Sequence, residues 1–359
     1  MNKKFEPDGG ARIQSMIRAA IEDGTRSITI TGSHEIEQTI LLPSEFTVFL
    51  ENCHLKMADD TFCNMFRNEC CGTEKGRTKD GGDHDIVIEG RGRVILDGGK
   101  YNGLGERNAN RDGRPHISVN NILLFGNVDR FAVRNLHIRN QRWWALNFIG
   151  CKNGKISNID FYSNDLWVDE NGEEHHGYFG EGFTYERILV KNSDGIDLRC
   201  GCHDITIENI TGFTEDDTVA LTALNGKLEA MYGVQDADHD IYNVIIRNIR
   251  SAAQCSNVRL LNQGERKLYN VLIDGVFDAS LNHPSMDRGS IGVRIGDADH
   301  MYGSRPSTSD ETFNITVRNV YSRARRVMHL GGAMKNVKLD NINGFDGYDI
   351  LIDNKAQMD

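Results

Sequence analysis

Apolar and polar residues alternate along this chain in a phrase that keeps returning. A small polar residue opens it, aliphatics follow at every second position, and Asn or Gly with a further aliphatic closes it. The phrase is read in HDIVIEG (84–90), DRFAVRNLHI (129–138), NGKISNIDF (153–161), ERILVKN (186–192) and HDITIENI (203–210). It comes back in YNVIIRNI (242–249), YNVLIDGV (269–276), FNITVRNV (313–320) and KNVKLDNI (335–342). Period-two alternation is a strand signal. Asn135 and Asn158 stand 23 residues apart, and Asn319 and Asn341 stand 22 apart, which leaves no room for a crossover helix. Short strands at that spacing form a solenoid, each coil burying its aliphatics against the next. No Asn-Gly or Asp-Gly hairpin joins the copies, which weighs against an antiparallel sandwich. An Asn recurring once per coil is expected to stack at a turn, tolerating left-handed backbone and bonding the neighbouring backbone through its amide.

Ahead of the repeats, residues 11–23 place Ile13, Met16, Ile17, Ala20 and Ile21 on one helical face, and Gly24 ends the pattern. The expected fold is therefore all-β, a single right-handed parallel β-helix domain over residues 1–359 whose open N-terminal end is capped by this helix.

Composition adds bounds. A chain of 359 residues without a linker suits a fold that lengthens by adding units, and its 37 Gly against 5 Pro suit many turns with unbroken hydrogen-bond ladders. The net charge of −11 argues against a nucleic-acid partner. No run of about 18 apolar residues occurs, so no membrane span is expected. The N-terminal stretch MNKKFEPDGG has no apolar signal region, which gives the expectation of a cytoplasmic protein. The eight cysteines lack zinc-site spacing and read as reduced core thiols; no metal or cofactor is expected.

Aligning consecutive coils brings candidate chemistry together. Asn192-Ser193-Asp194-Gly195-Ile196-Asp197-Leu198 matches Glu215-Asp216-Asp217-Thr218-Val219-Ala220-Leu221. Ile196, Leu198, Val219 and Leu221 become inward residues, and Asp194 falls beside Asp217 with Asp216 next to it. Strands lie about 4.8 Å apart, so three carboxylates crowd one surface. The outward position of the same coils reads Asn147, Asp197, Ala220, Arg259, Arg294 and His329, a stripe running from acid to cation. Trp143 and Trp144 adjoin the coil before Asp194, and Trp144 is a candidate stacking platform for a sugar. The insertions at 165–182 (with His175-His176), 224–240 and 296–311, and GLGERN (103–108), are candidate groove walls.

The segment from Arg114 to Cys151, followed by NSDG (192–195) and EDD (215–217), resembles glycoside hydrolase family 28, the polygalacturonases, over roughly residues 8–345. That family carries Asn-Thr-Asp-Gly and then Gly/Gln-Asp-Asp one coil later. The resemblance implies Asp216 as general acid and Asp194 with Asp217 as the pair holding the attacking water. It also implies inversion at the anomeric carbon, for which a carboxyl separation of about 6.5–9.5 Å leaves room for water. The implied partner is a pectin-like or uronic-acid-containing oligosaccharide, with Asn147, Asp197, Arg259, Arg294, His329 and Trp144 as substrate-binding candidates. Two family motifs depart from the pattern. Gly-His-Gly reads Gln254-Cys255-Ser256, and Arg-Ile-Lys reads Arg294-Ile295-Gly296. Two other readings keep the fold: a lyase holding Ca²⁺ with the groove carboxylates and using Arg259 as base, and a non-catalytic glycan-binding solenoid.

Overall fold

The computed structural model describes residues 4–59, 61–99, 120–141, 143–163, 166–169, 174–176, 188–190, 194–224, 231–283, 286, 288–297, 305–345, 350–352 and 357–358. Two parallel sheets, of twelve and ten strands, run the length of the chain. Each central coil gives a long strand to the first sheet and a short one to the second. His203–Thr214 leads to Val219–Ala223, and Ile241–Ala253 leads to Ser256–Asn262. The pairing between coils is parallel throughout both sheets, which makes the molecule a parallel β-helix.

The long strands bend in the middle, and the repeated Asn is the bend. Asn135, Asn158, Asn209, Asn248, Asn319 and Asn341 all have left-handed backbone, with φ between 52° and 61°. Strand pairing skips the bend, passing from Ser157↔Glu208 to Ile159↔Ile210. Asn is the residue with a side chain that enters this region at least cost. Its amide forms the expected ladder, although the acceptor differs from the expectation. Only the first rung reaches backbone, from Asn135 Nδ2 to the Gly90 carbonyl at 3.3 Å. Later rungs run from amide to amide: Asn158 to Asn135 at 2.8 Å, Asn209 to Asn158 at 3.0 Å and Asn248 to Asn209 at 2.6 Å. Gly275 holds the position in the next coil with φ 86°, and Asp274 there accepts from Asn319 at 2.8 Å. A second ladder, at the start of the same strands, links Asp204, Asn243, Asn270, Asn314 and Asn336.

Between the sheets the aliphatics stack in register. Ile207, Ile246, Ile273 and Val317 occupy one row, all fully buried. The cap helix spans Gly9–Glu22 and buries Ile13, Ile17 and Ala20. Met16 and Ile21, expected on the buried face, are exposed, because the helix lies close on the first coil and presents a narrower stripe. A Cβ at Gly9 or Gly10 would stand 2.7 or 2.8 Å from the carbonyls of Glu35 and Gln38. All eight cysteines are thiols rather than disulfides; five are buried, while Cys63, Cys70 and Cys255 are half-buried. Among the described residues no helix is long and apolar enough to cross a membrane.

One copy of the repeat is not a coil strand. Ile188–Val190, from ERILVKN, pairs antiparallel with Leu166–Asp169, which also pairs with Glu174–His176. Lys152–Tyr162 instead pairs directly with His203–Thr214.

The amide ladder yields a stability prediction. Asn209→Ala loses two amide bonds and puts an unsuited residue at φ 58°, so unfolding should cost about 2 kcal/mol less than in wild type. Asn209→Gly, which accepts that backbone, should lose less. A urea midpoint for Asn209→Ala equal to wild type would show that the ladder does not stabilise the fold.

Candidate active site

Register across the second sheet assembles the site. Ile196↔Val219 and Leu198↔Leu221 pair as aligned, and all four side chains are buried. Asn147, Asp197, Ala220, Arg259, Arg294 and His329 therefore follow one another on adjacent strands. Asp194 and Asp217 lie in the turns leading into these strands. The Gly195 N–H donates to the Asp217 carbonyl at 2.9 Å, and the Ala145 N–H donates to the Asp194 carbonyl at 3.1 Å. Three coils are thus tied together directly behind the carboxylates. Gly195 permits this closeness, since a Cβ would stand 2.6 Å from the Thr218 carbonyl. The Thr214 hydroxyl donates to the Asp216 carbonyl at 3.1 Å and meets the Thr218 hydroxyl at 3.0 Å, which fixes the turn carrying Asp216 and Asp217.

The four aspartates differ in access. Asp194, Asp197 and Asp217 are buried, at 7%, 0% and 3% exposure, whereas Asp216 is half-buried. Burial disfavours charge and like neighbours add to it. Asp194 is pushed well above the carboxylate range, first by burial and then by Asp197, Asp216 and Asp217; it donates a hydrogen bond to Asp197. Asp197 is raised to about 7 by burial, against the downward pull of Arg199 and of the hydrogen bond from Asp194. Asp217 is also raised to about 7 by burial, against the pull of Arg259. The cluster therefore holds protons at neutral pH.

Cys255 stands on the coil after Asp216 and Asp217, and the three offer ligand atoms within 4.8 Å of one another. Burial, then Asp216 and Asp217, push the thiol far above its ordinary range, so it faces the carboxylates as S–H. Two carboxylates and a thiol could in principle grip a soft metal, but the thiol must first lose its proton.

Three further residues that the sequence did not single out join the site. Arg199 sits on the same strand face as Asp197, two residues on, with Nη1 3.4 Å from Asp197 Oδ1. Period two would have found it. Asn121 accepts from Asn147 Nδ2 at 3.1 Å. Asp297, buried, contacts Arg259 and Arg294; it lies beyond the strand end, where alternation gives no guidance.

Two expectations change. Asn147 and Asp197 occupy the outward stripe but are fully buried, because Asn121 and Arg199 cover them. Trp144 is 8% exposed, and the Arg199 guanidinium lies 3.9 Å from its ring centre. That face is filled by a cation–π contact and is not an open sugar platform. Trp143 is half-buried beside it, with a left-handed backbone at φ 46°, an unusual state for so bulky a residue. Arg259, Arg294 and His329 remain half-buried on the outward stripe. Of the proposed walls, the described part of 224–240 packs Tyr232 against Cys71, Leu124, Ile149 and Cys200. The Gln235 N–H donates to the Arg77 carbonyl at 2.7 Å. GLGERN (103–108) and the His175-His176 side chains lie outside what is described.

The family model "Glycosyl hydrolases family 28" matches residues 33–242, more than half of the chain, and the protein belongs to that family. Among solved structures, the A-module of the Azotobacter vinelandii mannuronan C-5 epimerase AlgE4 aligns over 95% of this chain and 74% of its own, with 13% identity and a TM-score of 0.57. The hyperthermoactive exopolygalacturonase of Thermotoga maritima aligns over 98% and 88%, with 11% identity and a TM-score of 0.51. A 1,3-α-1,4-β-D-galactose-4-sulfate-3,6-anhydro-D-galactose-2-sulfate 4-galactohydrolase aligns over 99% and 88%, with 12% identity and a TM-score of 0.57. These likenesses show the right-handed parallel β-helix fold. No curated protein matches the chain in sequence.

The raised aspartates give a pH prediction. Asp217 titrates near 7 when folded and near the ordinary 3.8 when unfolded. Between those values the folded state keeps a proton the unfolded state has released, so stability falls as pH rises and levels off above 7. Asp85 and Glu311, held at about 2 by hydrogen bonds from Arg130 and Arg305, act oppositely, losing their contribution only as pH falls below about 4. The melting temperature should therefore decline from about pH 4 to 7, and Asp217→Asn should flatten that decline. An unchanged slope in the variant would place the bound proton elsewhere.

Proposed function

We propose that this protein is an inverting glycoside hydrolase, and the observation that carries the reading is the meeting of Asp194, Asp216 and Asp217 where two coils adjoin. Glycoside cleavage needs one carboxylic acid at the departing oxygen and one carboxylate at water. Asp216 is the member of the cluster open to the groove, so it is the one that reaches the glycosidic oxygen and delivers the proton. Burial raises Asp217 to about 7 against the pull of Arg259; its ionised fraction at neutral pH accepts a proton from the attacking water, which it orients together with Asp194. Asp194 passes its own hydrogen bond to Asp197, so the buried carboxyls exchange protons without exposing a bare charge.

The reading as a lyase is less well supported. It needs an arginine free to act as base, and Asp217 and Asp297 flank the Arg259 guanidinium at 3.6 and 3.1 Å, which holds it charged. The reading as a passive solenoid leaves unexplained why buried acids gather at one junction, an arrangement that costs stability unless it is used.

Asp216→Asn keeps the shape and removes the acid. Cleavage of a responsive oligosaccharide should fall by about 10²–10⁴-fold, and NMR of the wild-type reaction should show first the anomer opposite to the substrate linkage. Retention of configuration, or full activity in Asp216→Asn, would refute the mechanism.

A further inference from the structure

Three guanidiniums line the described site, and each already holds a carboxylate of the protein. Arg199 meets Asp197, and Arg259 meets Asp217 at 3.6 Å. The most telling contact is Asp297. One of its oxygens, Oδ2, takes Arg259 Nη2 at 3.1 Å, and the other, Oδ1, takes Arg294 Nη2. Asp297 is 4% exposed. A carboxylate gripped by two arginines, one on each oxygen, is how such a pair would hold a carboxylate ligand. Here the chain supplies that carboxylate itself.

The backbone explains how it gets there. The strand Ile291–Ile295 ends at Ile295, and Gly296 turns with φ 66°. A Cβ at Gly296 would stand 2.1 Å from the Gly331 carbonyl, while its N–H donates to the Leu260 carbonyl at 2.8 Å. No side chain fits at this position, so neither lysine nor any other cation can project from it. The turn brings residue 297 back over the two arginines. The acids along the described site are then Asp194, Asp197, Asp216, Asp217 and Asp297, several of them protonated at neutral pH, set against Arg199, Arg259 and Arg294. A uronate entering here would add a negative charge to an acid-rich pocket. To reach the arginines it would have to expel Asp297 and leave it buried without its partners, which is strongly unfavourable.

We propose that the sugar bound beside Asp216 and Asp217 is neutral, and that Asp297 sets this specificity by occupying the arginine pair that would otherwise bind a uronic-acid carboxylate. This rests on the reading of the site as a glycosidase. A neutral ring offers hydroxyls, which accept from guanidinium edges and donate to carboxylates without adding charge.

The test is calorimetric titration of wild type and Asp297→Asn with galactose, glucose and mannose, each paired with its own uronic acid. Wild type should bind the neutral member of a pair at least tenfold more tightly, and Asp297→Asn should shift that ratio toward the uronate by at least tenfold. Asp297→Ser serves as a second variant, and the wild-type ratio is a test that needs no variant. A wild-type preference for uronates, or a ratio indifferent to both substitutions, overturns this proposal and leaves the hydrolase reading standing. Binding of no sugar by any of the proteins overturns both.

Discussion

In a parallel solenoid, equivalent positions on successive coils are held about one strand spacing apart, roughly 4.8 Å, and everything in the candidate site follows from that. Asp194 and Asp217 are separated by a whole coil of chain, yet the N–H of Gly195 donates to the Asp217 carbonyl. The register depends on bends that recur at the same place. The left-handed Asn residues supply them, and the amide-to-amide ladder ties each bend to the one before it. A slip of one residue would turn Ile196, Leu198, Val219 and Leu221 outward and Asp197 into the core. The apolar stack therefore fixes the acids as firmly as it fixes itself.

Bringing four carboxylates together out of water has a cost, and the site meets it in two ways. Protons are retained where burial is deepest, at Asp194, Asp197 and Asp217. Guanidiniums neutralise what remains ionised, with Arg199 on Asp197 and Arg259 on Asp217. Both devices suit an acid–base site. A buried proton shared among neighbours can be delivered, and a carboxylate held by a cation can receive one. Asp216 is the member of the cluster that stays half-buried.

The fold was legible because a two-residue alternation repeated at coil length admits few other structures, and the acidic junction was legible because coil alignment converts sequence offset into adjacency. What was not legible has particular causes. ERILVKN alternates like a coil strand, but alternation does not say which partner a strand takes, and its Ile188–Val190 pairs within the insertion. Met16 and Ile21 follow helical spacing, yet the close approach at Gly9 and Gly10 narrows the buried face. Asn147 and Asp197 point out of the sheet as expected, but outward is not the same as exposed when Asn121 and Arg199 lie over them. Asp297 follows a turn, and turns carry side chains in directions that no periodicity encodes.

The departures from the family pattern have a common sign. Where the family motif has histidine, Cys255 presents a protonated, uncharged thiol to Asp216 and Asp217. Where it has lysine, Gly296 has no side chain and its left-handed turn has no room for one. One residue further on, Asp297 adds a negative charge and ties up Arg259 and Arg294. Random decay would be expected to leave arginines without partners and aspartates misplaced. Here two possible cations are gone, a counter-charge has arrived, and Asp194, Asp216 and Asp217 still converge. Under the glycosidase reading proposed above, such a combination supplies the acids that break a glycosidic bond and offers an acidic sugar no unpaired arginine of the described pair.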